Sequence, residues 1–346
     1  MELGKKIKQL RFKAGLTQEQ LAEKLGIGAQ AVFKWENAAA MPDITMLPIL
    51  AEVFGVSIDD LFDITTEQRL NRIENRMEAE QELPADIFME FESFLQAEMD
   101  DPKYCKRATE LIAYLYWHRM NAEAEKASRY AKEAIRRAPD EKRCQWILNK
   151  ADNHAVWDWN EANHAKAVSF YRELAESNPK AALPYMYLLD NLIADHRADE
   201  AERWLDQFCA LEKANPVMKR VYRAYIALAR FDEASADKIM EDLVAEQPGN
   251  DMVLFEAAQY YAGKADYKKA ICIYEKAFAA DTRRPRFQDA LTGIAVIYEI
   301  MGDYANAAKT YDRIIDLLEN KWGMSEETSS SVTAAKKEKA RLLAKA

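Results

Sequence analysis

Several asparagines of this chain stand at regular intervals, and their side-chain amides could bind a ligand. Asn149, Asn153 and Asn160 are four and seven residues apart, a spacing that would place them on one face of a helix. An asparagine can pair with the backbone of an extended peptide through both its amide donor and its carbonyl acceptor. We therefore expect these residues, together with Asn191, to contact a peptide or partner protein; a merely solvated polar face is the alternative.

Catalytic and metal-binding chemistry finds little support in the sequence. No two histidines stand at metal-ligand spacing on one helical turn, and the four cysteines are far apart without a CxxC pair. A phosphate-cradling glycine loop and a nucleophile elbow are both missing. We expect no catalytic residue, no metal and no cofactor, and reduced thiols of a cytoplasmic protein. The isolated histidines are His118, His154, His164 and His196.

The stretch QEQLAEKLGIGAQAVFKWEN, residues 18–37, predicts two short helices around a tight turn. Thr17 can cap the first helix while Gln20 reaches back, which is a capping box. Gly26 can adopt the positive φ that ends a helix and reverses the chain. The apolar or small residues expected to face inward are Leu21, Ala22, Leu25, Val32 and Trp35.

This stretch resembles the Cro and lambda-repressor type of helix-turn-helix, the xenobiotic-response-element family. The resemblance is to a bacterial branch that carries QAVSKWE followed by PDI; here residues 30–36 read QAVFKWE and residues 42–44 read PDI. The match covers roughly residues 1–62. It implies a five-helix domain whose second helix of the pair lies in the major groove of double-stranded DNA. A helical hairpin that merely packs, without a DNA role, is the alternative.

By this resemblance Ala29, Gln30, Phe33 and Lys34 face the groove. The amide of Gln30 can form a bidentate pair with adenine, which makes this residue the candidate for reading a base. Ala29 offers apolar contact to a thymine methyl, and Lys34 could reach a guanine edge or a phosphate. Gln18, at a helix start with free N–H groups, is expected to clamp a phosphate.

Three positions depart from the branch pattern. Gly28 stands where a capping serine or threonine is usual, which costs a few tenths of a kcal/mol. Ala38 replaces a usual glycine, a change that we expect to matter less. Phe33 replaces a usual outward-facing serine and should be exposed unless it touches DNA or another domain. The operator sequence therefore cannot be carried over from relatives.

Charge is unevenly distributed along the 346 residues. The net charge is −10, whereas residues 1–62 hold seven Lys and Arg against eight Asp and Glu. An acidic remainder should repel DNA and keep non-specific binding weak. A local edge that contacts phosphates is predicted at the basic cluster Lys5, Lys6, Lys8, Arg11 and Lys13.

Residues 63–84 are predicted to form a linker helix with a thin apolar seam. The seam consists of Leu70, Ile73 and Met77, and it could pair with its twin in a dimer or belong to a solvated helix. No stretch resembles a signal peptide or approaches the length of a membrane span. We therefore expect a cytoplasmic protein without a membrane partner.

Beyond residue 84 the chain repeats itself. The pattern resembles the tetratricopeptide repeat, a pair of antiparallel helices of about 34 residues. We expect six repeats between about residues 105 and 320, with a shortened turn in the copy at 217–248. The solenoid would span residues 85–324, its near end capped by residues 85–99, and residues 325–346 would form a capping helix or a basic tail. Equivalent alanines are Ala127, Ala167, Ala201, Ala236, Ala270 and Ala307.

Taken together, these patterns predict an all-α protein, a five-helix lambda-repressor-like domain at residues 1–62 followed by a tetratricopeptide-type α-solenoid. The architecture resembles the peptide-sensing regulators of Gram-positive bacteria. That resemblance implies a homodimeric, sequence-specific transcription regulator whose repeats bind a peptide or protein in a groove lined by their first helices. The alternative is a scaffold or adaptor whose helix-turn-helix is degenerate or only tethers it, which Phe33 and the weakly basic first domain favour.

Overall fold

The structure, a computed structural model, describes residues 2–62, 65–140, 142–156 and 158–346, apart from the side chains of residues 2, 59 and 60. The chain divides into two compact units, residues 1–122 and 123–346. Helices form the regular structure of the described ranges, in which no strand occurs. The prediction of an all-α protein is therefore confirmed. None of these described helices is both long and apolar enough to span a membrane.

Seven described helices lie wholly in the first unit. They are α1 (Glu2–Lys13), α2 (Gln18–Leu25), α3 (Ala29–Glu36), α4 (Met46–Phe54), α5 (Ile58–Leu61), α6 (Thr66–Ala79) and α7 (Ala85–Glu98). The next helix, α8 (Cys105–Arg137), begins in the first unit and ends in the second.

The second unit continues with twelve described helices and one π-helical turn, Leu317–Lys321. The helices are α9 (Lys142–Ala151), α10 (Trp159–Ala162), α11 (Ala165–Ser177), α12 (Ala182–Ala194), α13 (Ala198–Ala210), α14 (Pro216–Ala229), α15 (Glu233–Glu246), α16 (Asp251–Gly263), α17 (Tyr267–Ala280), α18 (Asp289–Ile300), α19 (Tyr304–Asp316) and α20 (Ser330–Leu343).

Helices α1 to α5 share one hydrophobic core, as the five-helix prediction requires. The predicted capping box is present, because Thr17 Oγ1 accepts from the Gln20 N–H at 3.2 Å and Gln20 Oε1 accepts from the Thr17 N–H at 2.8 Å. Gly26 has φ +66° and ends α2 as expected. The side chains with no exposed surface in this core are Ile7, Leu21, Val32, Leu50 and Leu61.

A glycine lets α1 approach α3 closely. A Cβ atom at Gly4 would lie 2.1 Å from the backbone carbonyl oxygen of Trp35, far inside van der Waals contact. The obstacle is backbone rather than a flexible side chain, so only glycine fits without moving α1. This close approach at Gly4 was not predicted from the sequence.

The predicted linker helix is realised as α6, and the structure buries its apolar seam. Leu70, Ile73 and Met77 pack against α7 and the first part of α8 within one core. The seam is thus neither solvated nor open to a twin, because two further apolar stripes of the same chain cover it. Those stripes are Phe88, Phe91 and Leu95 of α7 and Ala108, Leu111 and Leu115 of α8.

The first expected repeat, from about Ala108, is not a helical hairpin. Residues 105–137 form one continuous helix, and Ala127 lies in its interior, half-buried. The physical reason is that this stretch contains no glycine and no proline, the residues that most readily end a helix and turn the chain. The prediction of six hairpin repeats is therefore wrong at its first copy.

Four regular hairpins follow: α12 with α13, α14 with α15, α16 with α17, and α18 with α19. Each pair is joined by three residues, so the turn of the copy at 217–248 is not shortened. The middle residue of every turn is left-handed: His196 (φ +56°), Phe231 (+63°), Ala265 (+61°) and Gly302 (+75°). The predicted alanines of the second helices, which have no exposed surface, are Ala201, Ala236, Ala270 and Ala307.

The chain ends in a helix rather than a loose basic tail. Helix α20 packs against α19, with Val332, Ala335 and Leu342 buried. Leu342 closes a small cluster with Ala307 and Ala308. The last repeat therefore does not leave this apolar face open to water.

Replacing Gly4 with alanine should destabilise the first unit by about 1–3 kcal/mol, because the new methyl would overlap the Trp35 carbonyl. Urea unfolding of the full chain measures the loss, and hydrogen exchange of the α3 amides locates it. Gly263→Ala is the control, since a Cβ there meets nothing within 4 Å. Equal stability of Gly4→Ala and the wild type would contradict this account of the helix approach.

Candidate nucleic-acid interface

Helix α3 presents three of the predicted groove-facing residues to solvent. Gln30, Phe33 and Lys34 are exposed, and Phe33 retains 56% of its surface. They stand three and four residues apart and so share one helical face, opposite the buried Val32 and Trp35. This face combines an amide, an aromatic ring and an ammonium group.

Ala29, the fourth predicted residue, is only half-exposed and packs partly against the core of α1 to α5. Gly28 precedes it at the N-cap with φ −80° and makes no side-chain cap bond. Helix α3 therefore begins with two small residues, Gly28 and Ala29, which leave its first backbone N–H groups uncovered by large side chains.

Gln18 is placed differently from the phosphate clamp that the sequence predicted. Its side-chain Nε2 donates to Oε2 of Glu36 at 2.7 Å, so the amide is engaged inside the protein. Glu36 is the last residue of α3, and its side chain is buried. Gln18 thus links the start of α2 to the end of α3.

Arg11 completes this network and is not available for a phosphate. Its Nε and Nη2 donate to the two carboxylate oxygens of Glu36 at 2.6 and 2.9 Å, and its Nη1 donates to the Leu16 carbonyl at 2.8 Å. The side chains of the pair are only 7% and 1% exposed. The predicted phosphate edge therefore loses Arg11, while Lys5, Lys8 and Lys13 remain exposed.

Both members of the pair are charged at neutral pH. Burial opposes the charge of Glu36, but the bonds from Arg11 and Gln18 outweigh it and hold the pKa of Glu36 below its ordinary value. The bond to Glu36 raises the pKa of Arg11. The bidentate charge-assisted contact fixes the position of α1 relative to α3, and the bond from Gln18 joins α2 to the same carboxylate.

The end of α3 carries a strained residue. Ala38 has φ +57°, and the flanking bonds, Ala38 N–H to Trp35 O at 3.1 Å and Ala39 N–H to Lys34 O at 2.8 Å, close a left-handed helix terminus. The expectation that alanine in place of glycine matters less here is therefore not met, because the Cβ atom disfavours this conformation.

The expected asparagine stripe does not exist as one helical face. Asn149 lies in α9, which ends at Ala151; Asn153 follows in a turn with φ +51°; Asn160 lies in the separate short α10. The His154 N–H bonds the Asn149 carbonyl at 2.8 Å, so Asn153 ends α9 as a left-handed cap residue. Asparagine tolerates that conformation, and the spacing alone could not distinguish a cap from a stripe.

Asn191 lies on the first helix of a hairpin, but its amide is also engaged. Its Nδ2 donates to the Tyr187 carbonyl one turn earlier in α12 at 2.7 Å. The four predicted asparagines therefore lie on three different helices and a turn rather than on one helical face.

The second unit holds a cavity of about 840 Å³ that the sequence reading missed. It lies beside residues 281–288, an eight-residue connection between α17 and α18, where the next-longest connection between hairpins has five residues. The interval of 37 residues between Ala270 and Ala307 was the available signal of an insertion. Apolar, cationic and acidic side chains line it together, including Phe278, Leu291, Leu317, Arg284, Arg286, Lys321, Asp312 and Asp316.

No cluster of His, Cys, Asp or Glu suited to a metal ion occurs in the described part of the chain. The four cysteines are free thiols.

A helix-turn-helix family model matches residues 7–61. BcrR, an HTH-type transcriptional activator of Enterococcus faecalis, is 40% identical over 76 residues, which are 22% of this chain and 37% of BcrR. ImmR, an HTH-type transcriptional regulator of Bacillus subtilis, is 43% identical over 61 residues, 18% of this chain and 48% of ImmR. An uncharacterized HTH-type transcriptional regulator of Methanocaldococcus jannaschii, MJ0272, is 39% identical over 57 residues, 16% of this chain and 86% of its own length.

The matched region of this chain thus spans less than half of BcrR and of ImmR. Among solved structures, Bacillus thuringiensis PlcR in complex with the peptide PapR7 and DNA is 14% identical, with 99% of both chains covered and a TM-score of 0.26. The apo form of the competence regulator ComR from Streptococcus vestibularis is 16% identical, with 99% of this chain and 98% of that chain covered and a TM-score of 0.25. Likeness at this level says nothing about what this chain binds.

Replacing Glu36 with glutamine should cost about 3 kcal/mol or more, because the buried Arg11 loses its counter-charge. The pKa of Glu36 is lowered in the folded state, so the ion pair stabilises above the ordinary glutamate pKa. That stability is lost as pH falls through the lowered folded-state value. Thermal unfolding of the full chain across pH measures both effects.

The difference in unfolding temperature between Glu36→Gln and the wild type should therefore become smaller only at acidic pH, where Glu36 of the wild type is protonated. Glu23→Gln, at an exposed position of α2, is the control and should leave the unfolding temperature nearly unchanged. A Glu36→Gln protein as stable as the wild type at neutral pH would refute the role assigned to the network.

Replacing Ala38 with glycine should stabilise the first unit by about 1 kcal/mol, because glycine adopts positive φ without steric conflict. Urea unfolding measures the gain. Ala40→Gly, two residues on, where φ is not positive, should give no gain. If both glycine variants shift stability alike, backbone strain at residue 38 is not the cause.

Proposed function

This chain belongs to the helix-turn-helix family of transcriptional regulators, and we propose that it binds double-stranded DNA through α3 in the major groove. The observation that carries the proposal is the exposed face of Gln30, Phe33 and Lys34 on a helix held by the Arg11–Glu36 pair. A rigid support of this kind holds side chains at fixed distances from base edges.

Each exposed side chain has a defined contact in this arrangement. The amide of Gln30 reads an adenine edge, and Lys34 reaches a guanine edge or a phosphate. Phe33 packs on a thymine methyl or a sugar, which would remove its large exposed surface from water. The half-exposed Ala29 lets the start of α3 approach a base closely.

Phosphate contacts come from α1 and from the start of α2. The exposed Lys5, Lys8 and Lys13 supply ammonium groups, while Gln18 contributes its backbone N–H and uses its side chain to position Glu36. The net charge of −10 opposes non-specific binding. A homodimer offsets this repulsion by reading two half-sites about 34 Å apart.

The repeats of the second unit bind a peptide or partner protein in this proposal. The first helices of the four regular hairpins lie side by side, because α14 packs against α12 and α16, and α16 against α18. We call the surface formed by α12, α14, α16 and α18 the first-helix face. A ligand on it controls operator binding only if it prefers one arrangement of the dimer over another.

A scaffold or adaptor is the second candidate. Phe33, 56% exposed, would also suit contact with another protein domain, and α1 to α5 carry no net basic charge. In this alternative the repeats assemble partners and α3 reads no sequence. The two candidates differ in whether the full chain selects particular DNA sequences.

Selection of random duplex DNA by the purified full chain should enrich an inverted repeat. Gln30→Ala should then weaken binding to that site by about 1–3 kcal/mol and relax one base preference, because the bidentate amide contact is lost. Gln96→Ala, at an exposed position of α7, is the matched control and should bind like the wild type.

Two results would count against the assignment. If the wild type enriches no DNA sequence, the result favours the scaffold alternative, in which α3 reads no sequence. If Gln30→Ala retains every base preference, Gln30 does not read a base even though the chain binds DNA.

A further inference from the structure

The cavity of about 840 Å³ lies beside the last turns of the second helices α17 and α19. The connection at residues 281–288 and the π-helical turn Leu317–Lys321 also contribute to its wall. Of its described lining residues, only Leu291 belongs to a helix of the first-helix face. The volume is within the range of about 300–1,000 Å³ that small-molecule sites occupy. The cavity is therefore a candidate binding site separate from the first-helix face.

The connection between α17 and α18 is held in shape by Asp281, which is only 5% exposed. Its carboxylate accepts a hydrogen bond from Nε of Arg283 at 2.8 Å. It also accepts bonds from the backbone N–H groups of Arg283 and Phe287 at 2.9 and 3.3 Å. These bonds fix the segment that carries Arg284 and Arg286, so this part of the cavity wall exists before any ligand binds.

The π-helical turn is joined to the same connection. Trp322, which follows the turn, donates from Nε1 to the Arg286 carbonyl at 2.9 Å, and its ring centroid lies 5.8 Å from that of Phe287. The Trp322 N–H bonds the Leu317 carbonyl at 3.0 Å. Turns of this kind are rare and occur frequently at functional sites. Here the first and last residues of the turn, Leu317 and Lys321, both line the cavity.

Three lining residues give the cavity an apolar floor, namely Phe278, Leu291 and Leu317. Both leucines are buried, and Phe278 is half-buried. The Phe278 ring also lies against two guanidinium groups, because Cζ of Arg286 and Cζ of Arg313 are 5.1 and 5.6 Å from its centroid. Apolar surface and positive charge therefore meet at one place in the cavity.

The acidic residues of the wall already have partners within the chain. Asp312 pairs with Lys339 of α20 at 2.5 Å, and Asp316 accepts a hydrogen bond from Nδ2 of Asn320 at 2.8 Å. These carboxylates therefore do not require a cation from a ligand.

Three cations of the wall have no carboxylate partner. Within the described ranges, Arg284 and Arg286 donate hydrogen bonds only to backbone carbonyls, and neither they nor Lys321 form a salt bridge. Arg313, by contrast, is joined to Glu275 by bonds of 2.6 and 2.9 Å. An apolar floor beside unpaired cations suits an anion that has an apolar body.

The charges of the wall favour a carboxylate as the anionic group. A guanidinium fork matches the geometry of a carboxylate. A phosphate monoester has the same kind of acceptor oxygens but carries a charge of about −1.5 to −2 near neutral pH. Asp312 and Asp316 would repel that larger charge more strongly than the single charge of a carboxylate.

We propose that this cavity binds a small carboxylic acid with an apolar body. The body packs on the apolar floor, and the carboxylate accepts hydrogen bonds from Arg284, Arg286 and Lys321. A medium-chain fatty acid and the last residue of a peptide with an apolar side chain present this same chemistry. The inference does not rest on the proposed function, since all but one of the lining residues lie outside α12, α14, α16 and α18.

Isothermal titration calorimetry of the full chain tests the site with probes that differ in one feature. Octanoate should bind, and octanamide should bind about ten- to hundredfold more weakly, because charged hydrogen bonds are lost. Hexanoate, which is two methylenes shorter, should bind about tenfold more weakly than octanoate. Octyl phosphate should bind no more tightly than octanoate. Comparison of octanoate with acetyl-phenylalanyl-leucine shows whether an aliphatic acid or a peptide end is the better source of the carboxylate.

Hydrogen exchange of the full chain locates the bound probe. Octanoate should slow the exchange of amides in residues 281–288 and 317–322, because both segments form the wall. Octanamide at the same concentration is the matched control and should slow these amides less.

The double variant Arg284→Gln/Lys321→Gln should bind octanoate about ten- to hundredfold more weakly and leave the affinity for octanamide unchanged. Arg203→Gln/Lys268→Gln changes the net charge equally at exposed positions of the same unit and should bind octanoate like the wild type. Arg284→Lys/Lys321→Arg keeps both charges and should retain most of the affinity. Lys321→Gln alone, which removes no backbone contact of the connection, should still weaken octanoate binding if the double variant fails to fold.

Four results would overturn the inference. Absence of binding for both octanoate and the acetylated dipeptide removes the site. Equal affinities for octanoate and octanamide remove the role of the cations, and tighter binding of octyl phosphate removes the choice of a carboxylate. Octanoate binding that Arg284→Gln/Lys321→Gln leaves unchanged, or that does not slow exchange in residues 281–288, lies elsewhere on the protein. None of these results bears on DNA binding by α3 or peptide binding on the first-helix face.

Discussion

The position of α3 depends on one buried ion pair. Arg11 and Glu36 lie 25 residues apart in the chain and are joined by two hydrogen bonds of 2.6 and 2.9 Å. Each would be costly to bury alone, so the pair is stable only in the arrangement that brings α1 and α3 together. Gln18 adds α2 to the same carboxylate, and Gly4 removes the methyl that would hold the helices apart. The face that carries Gln30 and Lys34 is therefore fixed by contacts on its opposite side.

The second unit is built from four helical hairpins that pack in the same way. A fully buried alanine in each second helix lets the paired helices approach closely, and a three-residue turn with one left-handed residue reverses the chain. Only Gly302 suits that turn without strain; Ala265, Phe231 and His196 adopt it at some cost. Packing of the flanking helices must outweigh this local strain, which explains why the hairpins persist with different residues at the same position.

Glu36 shows when a buried charge supports a fold. A guanidinium and an amide satisfy its oxygens, so the carboxylate is stable only where the chain itself supplies these partners.

The sequence by itself determined the helical class, the capped helix-turn-helix and the buried alanines, because caps, glycine turns and apolar spacing are local properties that act within a few residues. The resemblance to the helix-turn-helix family also implied an outward face of Ala29, Gln30, Phe33 and Lys34, of which the last three are exposed and Ala29 is half-buried. Only the tertiary structure decided which polar groups remain free. The side chains of Gln18 and Arg11 bind the carboxylate of Glu36, which is distant in the chain. Asn153 ends helix α9 in a left-handed conformation. The tertiary structure likewise decided that α7 and α8 cover the seam of α6, because an apolar stripe specifies that it will be buried but not against which partner.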